Sequence, residues 1–212
     1  MSASVPTREV ARRAFATEFN DATYTFKESD DDRAPVYSLL PTGQRANRVF
    51  VAGTLTETED VGNDSEYWRG RIVDPTGTFF TYAGQYQPEA TSVLREAETP
   101  AYVTVVGKPR TYETDEGDVN VSLRPESISI VDGATRNRWV VETAERTLDR
   151  IEAFGGAASK TPPEGGDAVA ADEYAAMADT QYDPELSTYR DAVISALEDL
   201  ESEADEELAA EA

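Results

Sequence analysis

Six side chains in three segments of the sequence repeat a spacing of two residues. They are Arg69, Arg71, Phe80, Tyr82, Lys108 and Arg110. In an extended strand, residues two apart lie on the same face of a sheet. Guanidinium and ammonium groups pair with phosphates, and aromatic rings stack on nucleic-acid bases at about 1–3 kcal/mol for each base. The spacing therefore predicts one surface whose chemistry suits a single-stranded nucleic acid.

The register of the strands decides whether these side chains reach that surface. If the register slips by one residue, Phe80 and Tyr82 turn into the core, and the arginines are left to form surface ion pairs. Tyr67 and Tyr112 are interpreted as packing residues at strand ends. Phosphate contact and ion pairing both stay open for two further cations, Arg48 and Arg124.

The sequence contains no cysteine and no histidine. Disulfide scaffolds, zinc sites built on cysteine, thiol nucleophiles and histidine-based catalysis are therefore excluded. Two acidic stretches, at 30–32 and 115–118, are interpreted as solvated loops rather than as cation sites. We therefore expect a protein that is not an enzyme and that needs no metal or other cofactor.

The charge of the sequence is strongly negative, with 42 acidic and 19 basic side chains and a net charge of −23. Only three of the basic residues are lysine, and acid-rich, lysine-poor sequences are typical of proteins that work in molar salt. The screening length there is about 3 Å, so the total charge does not argue against a nucleic-acid partner. The excess is uneven, because residues 155–212 carry −14 and residues 1–154 carry −9.

Alternating apolar residues predict five strands, at 48–58, 66–73, 78–83, 102–110 and 119–130. Apolar residues at helical spacing predict a helix at 87–98, between the third and fourth strands. Gly53 and Gly107 lie inside strands, where glycine permits the sharp bends of a small barrel. This element order is that of the OB-fold, a five-stranded Greek-key barrel. We therefore predict a mainly β protein with flanking helices, whose OB-fold spans residues 46–133.

Helical segments are predicted on both sides of this barrel. Residues 1–45 hold an N-terminal helix, at 6–20, and a loop, and residues 134–154 form a long helix that a glycine pair at 155–156 ends. A linker rich in glycine and proline follows at 155–182, and an acidic C-terminal helix occupies 183–212. One apolar stripe of the long helix either packs on its own barrel or meets a partner helix. It consists of Val140, Ala144, Leu148 and Ile151.

Membrane insertion and export are not indicated by the sequence. No apolar run approaches the roughly 18 residues that a membrane-spanning helix needs. The N-terminus has no basic segment followed by an apolar one, so no signal peptide is predicted. We therefore expect a soluble, cytoplasmic protein.

Motifs spread over residues 8–201 resemble one known family. They are REVA (8–11), FA (15–16), LPTG (40–43), NRVFVAGTL (47–55), WRGRIVDPTG (68–77), YAGQYQP (82–88) and RWVVET (138–143). The sequence resembles the haloarchaeal replication protein A (RPA) family, among the proteins described as RPA-associated. The segment 68–88 is the most specific part of the resemblance.

This resemblance implies a single OB-fold in an accessory subunit of RPA, which binds single-stranded DNA in replication and repair. It supplies no catalytic residue. In RPA cores a helix after the OB-fold mediates subunit assembly, which implies that the stripe at 134–154 contacts the RPA large subunit in a hetero-oligomer. Many RPA large subunits carry a cysteine-based zinc finger that this sequence cannot form, which favours the accessory role.

Two alternatives to this function stay open at the level of the sequence. In the first, the barrel is structural and does not touch DNA, and the C-terminal helices bind RPA or another replication protein. In the second, the OB-fold binds RNA or tRNA.

Overall fold

The computed structural model describes residues 9–157 and 166–210. Within these residues the chain forms nine strands and five helices. The strands are β1 (Arg12–Arg13), β2 (Thr25–Lys27), β3 (Val36–Leu40), β4 (Gln44–Ala46), β5 (Val49–Asp60), β6 (Trp68–Asp74), β7 (Gly77–Ala83), β8 (Ala101–Glu113) and β9 (Val119–Ile130). The helices are α1 (Ala16–Asp21), α2 (Pro88–Glu96), α3 (Gly133–Ala157), α4 (Gly166–Tyr182) and α5 (Leu186–Ala210). No helix in the described ranges is both long enough and apolar enough to cross a membrane.

Five of these strands close into a barrel. β5, β6 and β7 form an antiparallel meander, β8 and β9 form an antiparallel pair, and β5 pairs with β8 to close the sheet. β7 meets β9 in parallel at Thr81 and Leu123. α2 separates β7 from β8 in the chain. The number of strands, their closure and the position of the helix confirm the predicted OB-fold.

Two irregularities bend the long strands of the barrel. The register of β5 with β6 shifts between Leu55 and Glu57, and the register of β8 with β9 shifts at Gly107. Both predicted glycines permit close approach of two strands, because a Cβ would lie 2.4 Å from the Val73 carbonyl oxygen at Gly53 and 2.7 Å from the Arg124 carbonyl oxygen at Gly107. The irregularity predicted at Gly107 is present in the register, whereas the irregularity of β5 lies after Gly53.

Alternate residues of the barrel strands fill its interior. The fully buried apolar side chains include Val49, Val51, Leu55, Ile72, Phe79, Val103, Val105 and Leu123. The burial of each such side chain contributes about 1.5–3 kcal/mol. Phe79 and Thr81 are buried, whereas Phe80 is exposed and Tyr82 is half-buried, so the predicted register is confirmed and the slipped register is wrong.

The N-terminal segment differs from the helix predicted at 6–20, of which residues 6–8 lie outside the described residues. β1 runs parallel to the start of β5, and the Arg12 N–H donates a hydrogen bond to the Arg48 carbonyl at 2.8 Å. The helix begins only at Ala16, and Phe15 and Phe19 are buried in the barrel core. Pairing with β5 and burial of these rings outweigh the weak local preference for a helix.

A small antiparallel sheet, β2–β3–β4, replaces most of the loop predicted before residue 46. Only the polar segment at 28–35, between β2 and β3, is a loop as predicted. The turn between β3 and β4 contains Gly43 in the left-handed region, at a φ of +83°. Phe26 of β2 packs on Tyr24, Tyr37 and Tyr174, and these aromatic contacts stabilise the sheet. The strands are too short to be predicted from alternating apolar residues.

The segment predicted as a linker at 155–182 is helical in its described residues, and the helical turn that the sequence allows at 172–179 lies within α4. α3 continues through the glycine pair to Ala157, and α4 occupies residues 166–182. Ala175 and Ala178 of α4 are buried against Leu39 and Phe154. A helix that buries mainly alanine has no stripe of large apolar residues. The sequence pattern therefore gave only a weak signal for α4 beside the glycines and prolines that precede it.

The two longest helices pack on the barrel and on each other. Trp139 of α3 is buried, and its Nε1–H donates to the Phe50 carbonyl at 2.9 Å. Val193 of α5 is buried in the same core. An ion pair of 2.9 Å joins Arg136 of α3 to Glu203 of α5. The predicted C-terminal helix is therefore part of the folded core, although most of its acidic side chains are exposed.

Candidate nucleic-acid interface

The outer face of β6 and β7 displays four of the six predicted contact residues. Arg69 lies opposite Tyr82, and Arg71 lies opposite Phe80 in the antiparallel register. The residues between them, such as Thr81, are buried inside the barrel. Strand alternation therefore places all four side chains on one outward surface, as the sequence predicts.

Three aromatic rings are accessible on this surface. Phe80 is 36% exposed, and the Arg69 guanidinium carbon lies 5.9 Å from the centre of its ring. Tyr82 stacks on Tyr67, with ring centres 5.8 Å apart and ring planes 20° apart. Tyr67 is 45% exposed and stands in the loop before β6. Tyr67 packs on Tyr82, as the sequence interpretation expects, and its exposed ring also adds to this surface. Its offset of two residues from Arg69 is the sequence signal for that second property.

The Tyr82 hydroxyl is held in its neutral form. Burial raises the pKa of Tyr82, the nearby Tyr112 raises it further, and Arg69 acts in the opposite direction. Tyr82 therefore presents an uncharged ring and a hydrogen-bond donor at neutral pH. Both properties are compatible with a negatively charged ligand.

Two carboxylates of β5 form ion pairs with Arg69 on this face. Glu59 lies opposite Arg69, and Glu57 lies opposite Arg71. The Arg69 Nη2 donates to Glu59 Oε2 at 2.6 Å and to Glu57 Oε1 at 3.3 Å. Arg71 donates to Thr56 Oγ1 at 3.2 Å. These acids are 53% exposed, so the pairs contribute only about 0–1 kcal/mol and can be exchanged for a phosphate.

The other two predicted cations stand on the β8–β9 pair. Lys108 lies opposite Arg124, and Arg110 lies opposite Ser122. Burial lowers the pKa of Lys108, and Arg48, Arg124 and Arg110 lower it further, while Glu126 raises it. The pKa of Arg110 is likewise lowered by burial and then by Arg124. The cations repel one another here, so a bound anion would relieve their repulsion.

The two groups of side chains belong to one surface. β7 and β9 are neighbours at Thr81 and Leu123, both of which point inward, so the adjacent Tyr82 and Arg124 point outward. Of the two cations left open by the sequence, Arg48 forms an ion pair with Glu126 at 2.7 Å. Arg124 joins the cationic group. We call this outer surface of β6, β7, β9 and β8 the barrel face.

The predicted partner stripe of α3 is corrected at three of its four positions. Val140, Ala144 and Ile151 are at most 3% exposed, because they pack inside this chain. Leu148 is 38% exposed and Val141, which was not in the predicted set, is 51% exposed. The sequence left open whether the stripe packs on its own barrel. Val140 and Ala144 do so, since they belong to the barrel core, and Ile151 is buried within the chain.

Metal ligation has no candidate in the part of the chain that the structure describes. No group of three or more acidic side chains there is placed to hold an ion. The acidic stretches at 30–32 and 115–118 lie in exposed loops or turns. They are therefore consistent with solvated charge.

Comparisons with known proteins add little to this geometry. No family model and no curated protein matches the sequence. Similar solved structures include an OBody bound to hen egg-white lysozyme, at 14% identity over 59% of this chain and 98% of that chain, with a TM-score of 0.39. A mitochondrial single-stranded DNA binding protein of S. cerevisiae matches at 18% identity over 41% of this chain and 94% of its own, with a TM-score of 0.33.

A third similar structure is the asparaginyl-tRNA synthetase of Pyrococcus horikoshii. It matches at 15% identity over 52% of this chain and 30% of its own, with a TM-score of 0.32. Scores of this size carry no argument. The OB-fold assignment therefore rests on the strand order, the pairing and the closure of the barrel.

Proposed function

We propose that this protein is a non-enzymatic subunit that binds single-stranded DNA through the barrel face and works with RPA in replication and repair. The observation that carries the DNA-binding part is the stacked Tyr67–Tyr82 pair beside Phe80 and a group of cations on one outer surface. The association with RPA, in a hetero-oligomer with its large subunit, is supported by the resemblance of the sequence motifs.

The aromatic rings supply the part of the binding energy that tolerates salt. Stacking contributes about 1–3 kcal/mol for each base and does not depend on counterion release. Phe80 and the Tyr67–Tyr82 pair offer two separate places where a base can stack. A single DNA strand that crosses β6, β7 and β9 would therefore contact the aromatic rings first and then the cations of β8 and β9.

The cations supply contacts to the phosphates. Lys108, Arg110 and Arg124 have no carboxylate partner of their own among the ion pairs of the described residues. Arg69 has two, but both are exposed and exchangeable. A phosphate at this surface would replace weak pairs or relieve repulsion, so the net charge of −23 does not prevent binding.

Fluorescence anisotropy with a labelled oligothymidine in molar KCl tests the DNA contact. The double variant Phe80→Ala/Tyr82→Ala should lose at least roughly 5- to 150-fold in affinity, the equivalent of one stacked base. Tyr102→Ala is a matched control, because Tyr102 has the same 36% exposure as Phe80 but lies against Arg136 and Gly133. Equal affinity for the double variant and the control would refute the DNA face.

A second candidate, the adaptor that does not touch DNA, is favoured by one observation. Arg69 already has two carboxylate partners, as expected for a surface that merely balances its own charge. Leu148→Glu separates the candidates, because Leu148 is exposed on α3 and its change should leave the fold intact. Loss of co-purification with RPA, together with no DNA affinity of the isolated protein, would establish the adaptor.

Competition between DNA and RNA of the same sequence addresses the remaining nucleic-acid alternative. The barrel face offers rings and cations but no described feature that selects a 2′-hydroxyl group. We therefore expect DNA to compete at least as well as RNA. Stronger competition by RNA would replace the proposed function with an RNA-binding one.

A further inference from the structure

A cavity of about 430 Å³ lies on a different part of the molecule from the barrel face. It is enclosed by β1, the turn between β3 and β4, the C-terminal half of α3, and α4. None of its lining residues belongs to β6, β7, β8 or β9. It therefore needs an explanation that the proposed DNA contact does not provide.

The lining of the cavity is cationic in a strongly acidic chain. Four arginines line it, and they are Arg12, Arg13, Arg146 and Arg150. Asp149 is the only acidic side chain among the described lining residues. It pairs with Arg146 at 3.4 Å, but both side chains are more than half exposed, so this pair is weak. The local charge is thus opposite in sign to that of the whole protein.

One of the arginines that line the cavity has a hydrogen-bond donor without an acceptor. Arg13 Nη1 is buried and has no hydrogen-bond partner among the described residues. The other Nη of Arg13 pairs with Glu142, and the guanidinium carbon lies 4.6 Å from the centre of the Phe50 ring. Burial lowers the pKa of Arg13, and Arg146 lowers it further while Glu142 raises it. An anion here would satisfy the donor and offset the repulsion between the two arginines.

Most of the remaining lining of the cavity is apolar, and Thr42 and Gln44 are its uncharged polar side chains. Phe154 and Ala175 belong to this lining and pack closely on Gly43, where a Cβ would lie 2.9 Å from the Phe154 ring and 2.8 Å from the Ala175 Cα. A lining that combines arginines with apolar groups suits a ligand that joins an anion to an apolar or planar group. The volume is in the range of pockets for small ligands, which span about 300–1,000 Å³.

We propose that this cavity binds the phosphate group of a nucleotide, with Arg12, Arg13 and Arg146 as donors and the wall of Phe154 and Ala175 against the nucleoside. Guanidinium groups match the geometry of phosphate oxygens and form charge-assisted hydrogen bonds with them. Arg150 is not counted among the donors, because it already donates hydrogen bonds to Glu18, Thr42 and Thr147 inside the fold. The site is separate from the barrel face and does not depend on the proposed function.

The carboxylates that lie next to these arginines in the described chain already have partners. Glu142 pairs with Arg13, Asp149 with Arg146 and Glu18 with Arg150. A ligand is therefore the anion that we propose for this cavity.

Calorimetric titration of the full-length protein with adenosine 5′-monophosphate and with adenosine tests the proposal. The phosphate ester should bind at least tenfold more tightly than the nucleoside, and inorganic phosphate should compete with it. Arg12→Gln and Arg146→Gln should each weaken binding roughly tenfold, the effect of one charge-assisted hydrogen bond. Both side chains are accessible, so these variants should fold.

Arg138→Gln is the matched control for this titration, because Arg138 is exposed on α3 but does not line the cavity. The proposal is overturned if nucleotide and nucleoside bind equally, if neither binds, or if Arg138→Gln weakens binding as much as Arg146→Gln. A 5′-phosphorylated oligonucleotide that displaces the nucleotide, where the unphosphorylated one does not, would support the same phosphate site and assign it to strand ends.

Discussion

Arg150 and Glu18 form a buried ion pair that joins α3 to α1. The Arg150 Nη2 donates to the Glu18 Oε2 at 2.5 Å, and the two side chains are 8% and 1% exposed. Thr42 connects the same groups, since its hydroxyl donates to Glu18 and accepts from the Arg150 Nε at 2.7 Å. The Arg13 carbonyl accepts from Arg150 Nη1 at 3.2 Å. These hydrogen bonds connect α3, the helix after the barrel, to the N-terminal segment.

Removal of one partner of this ion pair should destabilise the protein strongly. Glu18→Gln or Arg150→Ala leaves a buried charge without its partner, a change that costs about 3–5 kcal/mol of unfolding free energy. The double variant Glu18→Leu/Arg150→Met should cost less than the sum of the single changes, because no charge is left behind. Urea denaturation followed by circular dichroism measures all three. Additive losses would contradict the coupling of the two residues.

The two tryptophans should differ in their response to replacement by phenylalanine. Trp139 loses its hydrogen bond to the Phe50 carbonyl and leaves that oxygen without a partner, which costs about 1–3 kcal/mol. The Trp68 Nε1 is buried and has no hydrogen-bond partner among the described residues, so Trp68→Phe removes an unsatisfied donor and should cost less. Urea denaturation measures the loss of unfolding free energy for each variant. A larger loss for Trp68→Phe would contradict the assignment.

Asp74 should make the unfolding free energy depend on pH. Its carboxylate is buried and accepts from the Ala16, Thr76 and Gly77 N–H groups, and burial raises its pKa from 3.8 to about 6 despite these hydrogen bonds. A raised folded-state pKa means that the stabilising contribution is fully present below pH 3.8 and is lost as the pH rises through about 6. Each pKa unit corresponds to 1.36 kcal/mol, so the unfolding free energy should fall by about 3 kcal/mol over this pH range.

Denaturation at several pH values between 4 and 7 measures this contribution as a difference between wild type and Asp74→Asn. The difference removes the effect of the other carboxylates, which both proteins share. The unfolding free energy of the wild type should fall relative to the variant as the pH rises. Parallel pH profiles would show that the hydrogen bonds, and not burial, decide the ionisation of Asp74.

Glu59→Gln should increase the affinity for single-stranded DNA. The change frees Arg69 from its shortest ion pair and removes a negative charge next to the bases. We expect a gain of roughly two- to fivefold, the equivalent of about 0.4–1 kcal/mol for an exposed pair. Anisotropy titrations at fixed salt detect it. Glu152→Gln is the control, because it removes the same charge from an exposed position on α3. An equal gain in DNA affinity for both variants would show that only the net charge matters and not the ion pair with Arg69.

Deletion of residues 136–212 should unfold the barrel rather than release it. Trp139 and Val140 of α3 and Val193 of α5 are buried in the barrel core. Their loss removes several fully buried apolar side chains, each of which contributes about 1.5–3 kcal/mol. Circular dichroism of the truncated protein checks this. A cooperative unfolding transition of the truncated protein would show that the OB-fold at 46–133 folds independently of its helices.

The sequence determined the barrel because its signal is local. Each barrel strand has one buried and one exposed face, so apolar residues alternate with a period of two, and the register follows from that alternation. Phe80 and Tyr82 are outward for the same reason that Phe79 and Thr81 are buried. The six predicted residues of the barrel face therefore came from the pattern, whereas their part in DNA binding is still a proposal.

Tertiary structure decided what depends on contacts between distant segments. β1 exists because it pairs with β5, α4 is placed by alanines that fit against Leu39 and Phe154, and the stripe of α3 is buried because α5 and the barrel cover it. The same holds for Glu59 at Arg69, for Tyr67 on Tyr82, and for the arginine-lined cavity. A sequence pattern shows at most that a segment has an apolar face, as for the stripe of α3, and does not show which distant segment covers that face. The isolated contacts leave no periodic pattern, because each segment contributes only one or two side chains to them.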